Sequence, residues 1–129
     1  MSDLNTAHNR IVWLDIPVHD LDRAITFYQN VLGLPVHKQA FENFQFAVFD
    51  HGQGNGACLV PQTEPVPSEH FGLLVYLNVH GRMQEAMVAV EKHGGKVSQP
   101  PIAIGPHGFR AIVWDSEGNR IALHSGVGH

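Results

Sequence analysis

At 129 residues, 43% of them hydrophobic and 16% charged, the chain is long enough for one domain with a real core, too short for two ordinary ones, and not of disordered composition. A net charge of -4, no stretch that concentrates Lys and Arg, and no apolar run near the ~20 residues of a membrane span argue against nucleic acid and membrane as partners. The one cysteine, Cys58, cannot close an internal disulfide, and MSDLNTAHNR at the start has no apolar signal core, so the expected compartment is the cytoplasm.

Residues 1–10 are polar and are expected to be loose. Ile11 to Val18 alternate: Val12, Leu14, Ile16 and Val18 share one face, which should pack on the next helix, while Trp13, Asp15 and Pro17 fall on the other. Asp20 is placed to cap a helix carrying Leu21, Ala24, Ile25, Tyr28 and Leu32 as its apolar stripe. Gly33 ends that helix and Pro35 prevents its resumption. Short strands are predicted near Val36–Ala40, Phe44–Phe49 and Gly56–Val60, with HGQGNG at 51–56 as a turn and not a phosphate loop. Residues 61–71, opening on PQTEPVP, form a proline-rich linker.

A second copy of the opening then begins, offset by 61. LLVYLNVHGRMQEAMVAVEKHG at 73–94 gives a strand over Leu73 to Val79 and a helix with Met83, Ala86, Met87 and Val90 on one stripe. Leu74 takes the place of Trp13, Tyr76 of Asp15 and Asn78 of Pro17. Pro100–Pro106 reads as loop or edge strand. Phe109–Asp115 and Arg120–Ser125 read as a hairpin around SEGN. The expected fold class is α+β, a single domain over 1–129 made of two βαβββ modules in tandem, about 11–60 and 72–125, forming a curved mixed-sheet cup.

The string DIPVHDLDRAITFYQNVLGLPV, with WDSEGNRIALHS near the end, resembles the vicinal oxygen chelate proteins: glyoxalases, bleomycin-resistance proteins and extradiol dioxygenases. That resemblance implies two βαβββ modules whose sheets form a cup, commonly shared across a homodimer. In the family's metal-dependent members a divalent ion sits there, held by side chains of the first and last strands of each module. Carried onto this chain, those positions hold Trp13, Leu74 and Ala122, and residues 56–60 offer Gly, Ala, Cys, Leu and Val. None is a usual ligand. No cofactor is therefore expected; a divalent metal held by His124 with Asp15 or another histidine is the alternative.

Alternation puts Trp13, Asp15, Leu74, Tyr76, Asn78, Ala122 and His124 on the inward face. Apolar walls with a few placed polar groups suit a small organic molecule, aromatic or cationic. Asp15 and His124 are the inward ionisable residues, a candidate acid–base pair. Each has a plainer reading: Asp15 capping backbone or pairing with a cation, His124 at the rim bonded to water or a main-chain carbonyl, and Tyr76 and Asn78 satisfying each other. Cys58 reads as a small buried residue. His19, His51, His80, His93 and His107 sit in turns and helix ends without metal-ligand spacing. Two functions follow: a metal-free binder that sequesters or senses a small molecule, or an enzyme of lyase, isomerase or dioxygenase type using Asp15 and His124.

Overall fold

The computed structural model describes residues 4, 7–62 and 72–129. Alternation builds strand β1 (Ile11–Val18). Asp20, in an extended conformation, accepts the Arg23 N–H at 3.0 Å and starts helix α1 (Leu21–Leu32). Gly33 closes it with φ 69°, a left-handed conformation that costs a residue with Cβ far more, and sends its N–H to the Gln29 carbonyl. Strands β2 (Val36–Phe41), β3 (Phe44–Phe49) and β4 (Cys58–Pro61) follow. The plan then repeats: β5 (Leu74–Asn78), α2 (Met83–Lys92), β6 (Lys96–Ala103), a 3₁₀ turn (Gly105–His107), β7 (Phe109–Trp114) and β8 (Arg120–Ser125).

The strands bond in the order β2-β3-β4-β1-β5-β8-β7-β6, an α+β fold on a mixed sheet. Contacts divide the chain into two compact units. An N-terminal unit holds Leu14–Leu73; a C-terminal unit holds Leu74–His129 together with Met1–Trp13. In the first, β4 runs parallel to β1, and β3 and β2 follow antiparallel. In the second, β8 runs parallel to β5, and β7 and β6 follow antiparallel. The internal repeat is thus a repeat of strand pairing as well as of sequence.

Each helix covers one face of its own unit's strands. Under α1 the core is Val18, Val36, Ala47 and Leu59, joined by Ile16, Leu21, Ala24, Ile25 and Tyr28. Under α2 it is Met83, Ala86, Ala111, Val113 and Leu123, joined by Met87 and Val90. The helical stripes are therefore as the spacing predicts, with one exception: Leu32, in the last turn, is 48% exposed.

Other expectations are corrected. Residues 9 and 10 are not loose: the Asn9 and Arg10 carbonyls accept the side-chain and main-chain N–H groups of Asn78. Leu4 is buried. The third strand begins at Cys58, not Gly56, because Ala57 is still bonding to Phe49 at the end of the turn. Lys96–Ala103 is a full edge strand; its register against β7 slips between Val97 and Gln99 and again between Gln99 and Ile102, which accommodates Pro100 and Pro101. Of the expected linker only Pro61 and Gln62 are described; 63–71 lie outside the described residues.

Candidate functional site

Register decides which side chains share the face of the C-terminal unit that α2 does not cover. Asn78 pairs with His124, and His124 with Arg110. One row over, Tyr76 pairs with Ala122, and Ala122 with Ile112. A third row pairs Arg120 with Trp114 and Trp114 with Lys96. Paired residues project to the same side of a sheet, and residues two apart on a strand do so too. Tyr76, Asn78, Ala122 and His124 are therefore on one face, as alternation predicts, and Leu74 joins them. Leu74, Tyr76, Ile112, Ala122 and His124 are buried; Asn78, Arg110, Trp114 and Arg120 are half-buried.

Arg110 is the residue that sequence reasoning missed. Its Nη1 donates to the Tyr76 hydroxyl at 2.7 Å, and its guanidinium carbon lies 5.9 Å from the Tyr76 ring centroid. The two residues sit on strands separated by β8, one row apart, so the arginine crosses the strand diagonally. Ala122, fully buried, stands between them in register, and its small side chain leaves room for that crossing. Because a guanidinium only donates, the phenol oxygen accepts and the phenol proton points elsewhere. The signal was available: in FRAIVW, alternation places Arg110, Ile112 and Trp114 together, and an arginine inside a strand with that much apolar company needs a reason to be there.

His124 is 1% exposed, not a rim residue. Its Nε2 contacts the His107 carbonyl at 2.5 Å, so Nε2 carries the proton and donates. That leaves Nδ1 as the lone-pair nitrogen, and Nδ1 is buried with no hydrogen-bond partner among the described residues. Burial pushes the imidazole below its ordinary value of 6.5; the His107 carbonyl opposes that, and the neighbouring His80 and His107 rings add to it. His124 is thus held neutral. The His80 Nδ1 accepts the Gly126 N–H at 3.0 Å.

Asn78 is tied to the chain on either side of it. Its amide donates to the Asn9 carbonyl, and its oxygen accepts the His80 N–H, locking the turn into α2. Trp13 belongs to the C-terminal unit and is buried at 7% exposure. Asp15 belongs to the N-terminal unit. There it stands opposite Cys58 on the parallel β1–β4 pair, and its Oδ1 accepts the Cys58 thiol proton at 3.1 Å. Asp15 and His124 are therefore each engaged with a partner in its own unit, and Cys58 is buried as expected.

The donor set for a divalent ion does not fit. Trp13, Leu74 and Ala122 occupy three expected ligand positions, β4 supplies no acid, and among the described residues no three His, Cys, Asp or Glu side chains are grouped to hold a metal. Among the described residues, no helix is long and apolar enough to cross a membrane.

A glyoxylase-like domain-containing protein of Didymella fabae is 30% identical over 129 residues, covering 90% of this chain and 93% of that one. Among solved structures, a hypothetical protein of Bacillus halodurans C-125 superposes with a TM-score of 0.68 at 15% identity, covering 92% of this chain and 94% of the other. A methylmalonyl-CoA epimerase of Streptomyces coelicolor superposes with a TM-score of 0.64 at 18% identity, covering 91% and 94%. These structural likenesses speak for the fold alone. The superfamily model matches residues 10–123, nearly the whole chain, and with the paired βαβββ units it settles the membership: this chain belongs to the glyoxalase/bleomycin resistance protein/dioxygenase superfamily.

Proposed function

We propose that the chain binds a small organic molecule on the face of the C-terminal unit opposite α2, without a metal, to sequester or sense it. The observation that carries this is the Arg110–Tyr76 pair, a cation and a phenol held at 2.7 Å above the buried Ala122. Leu74, Ile112 and Ala122 supply an apolar floor, and Asn78 fixes the strand end from which Tyr76 projects. A few positioned polar groups over apolar surface are the ordinary composition of a ligand site. Trp13, which belongs to the same unit, remains part of the proposal as an aromatic contact. A homodimer is proposed with it, to be read from the mass in solution by light scattering.

The test is calorimetry against a set of small aromatic acids, amides and amines, with wild-type protein, Tyr76→Phe and Ala122→Leu. Loss of the phenol oxygen removes the Arg110 contact, and a larger residue at 122 fills the diagonal. Both variants are expected to weaken binding about tenfold or more, the scale of one hydrogen bond to a charged group. Unchanged affinity in both would rule the face out.

An enzymatic reading, of lyase, isomerase or dioxygenase type, would rest on the buried His124, whose Nδ1 has no hydrogen-bond partner among the described residues. In this chain the base would have to be His124 through Nδ1, since Nε2 is committed to the His107 carbonyl. His124→Gln separates the readings: it abolishes turnover in an enzyme and only shifts affinity in a binder.

A further inference from the structure

Charge on the proposed face is one-sided. Arg110 on β7, Arg120 on β8 and Lys96 on β6 all lie on it by register. No Asp or Glu occupies any paired position of that face on β5, β6, β7 or β8. The acids of the unit's described residues lie elsewhere: Glu85 and Glu91 on α2, Asp115 and Glu117 in the β7–β8 turn. Asp115 is turned inward to that turn, accepting the Glu117 and Asn119 main-chain N–H groups and the Asn119 amide. The whole chain carries -4, so this surplus of cations runs against the molecule's average.

Resting on the binding reading above, we propose that this face selects small aromatic carboxylates. Arg110 is the seat of the carboxylate. It is half-buried, where a charge pair is screened less than at the surface, and Tyr76 holds it in place, so little side-chain freedom is lost on binding. The guanidinium is planar and matches a carboxylate with two donors at once, which an ammonium does not. Arg120 and Lys96 lie four residues along β8 from the Arg110 row, roughly 13 Å away at the rise of a strand, and raise the local potential for an anion without touching the same group. Trp114, half-buried on the same face, supplies a flat face for an aromatic ring. A cationic ligand, which the lone Asp15 suggests when the sequence is read by itself, would meet three positive charges here.

The probes are benzoate, benzamide and benzylammonium, matched in shape and differing in charge, each titrated to about millimolar concentration, the range expected of fragments this small. Benzoate should bind at least about tenfold more tightly than benzamide, with benzylammonium weakest, and added salt should narrow the gap. In Arg110→Met the benzoate preference should fall below about threefold; the ligand series itself needs no variant, so the test stands if that protein fails to fold. Benzamide or benzylammonium binding as tightly as benzoate, with the effect lost in Ala122→Leu, would overturn the anion selectivity and leave the binding face intact. No binding by any of the three would overturn the binding reading and the selectivity together.

Discussion

The two helices of the repeat are held by different means. α1 has a side-chain cap at Asp20 and a left-handed glycine at Gly33, yet none of its residues is fully buried, and Phe27 and Val31 on its outer side are 57% and 61% exposed. α2 starts at Arg82 without a side-chain cap, closes through Gly94 at φ 98° with the Gly95 N–H on the Val90 carbonyl, and sinks Met83 and Ala86 into the core. Both helices close on a positive-φ glycine; what differs is the start, where a side-chain cap holds α1 and buried packing holds α2. The strands beneath them differ too. In the N-terminal unit the face away from α1 ties an acid to a thiol, Asp15 to Cys58. In the C-terminal unit the face away from α2 holds a cation against a phenol, Arg110 to Tyr76.

The contrast can be broken most strongly through α2. Met83→Ala leaves a cavity in a core that cannot easily collapse and is expected to cost about 2–5 kcal/mol in urea denaturation. Gly108→Ala follows. A Cβ there would meet the Ser125 carbonyl oxygen at 2.4 Å, on a residue whose φ is +95°, and the expected loss is at least about 1–2 kcal/mol. Asp20→Ala removes only the cap of α1 and should cost about 1 kcal/mol. If Asp20→Ala destabilised as much as Met83→Ala, the division between a capped helix and a packed one would fail.

A subtler effect comes from pH. His124 is held neutral in the folded state, with its proton affinity pushed below 6.5, chiefly by burial. Below about pH 6.5 the unfolded chain then binds a proton that the native chain does not, so the native state loses stability as pH falls through that window and regains it as pH rises. Denaturation midpoints measured from about pH 7 to about pH 5 should drop less in His124→Gln than in wild type; an equal drop would mean His124 is not the group responsible.

Most of this fold was legible in the chain. Asp20, the Leu21–Tyr28 stripe and Gly33 encode α1 within fourteen residues, and the offset copy at Leu74 predicts the second unit. Leu32 was misjudged because a stripe says which side a residue is on, not whether the last turn is covered. β6 was blurred because two prolines hide a strand whose register slips around them. Of the site, alternation placed Tyr76, Ala122 and His124 on one face. What it could not place was anything set by pairing between strands far apart in sequence: the Asp15–Cys58 contact across a parallel pair, and the diagonal reach of Arg110 over Ala122.

The most direct measurement is an amide correlation spectrum of the protein titrated with benzoate. Shifts concentrated at Tyr76, Arg110, Ala122 and their strand neighbours on β5, β7 and β8 are the result expected if the C-terminal unit carries the site. Shifts confined to β2, β3 and β4, or to α1, would contradict it.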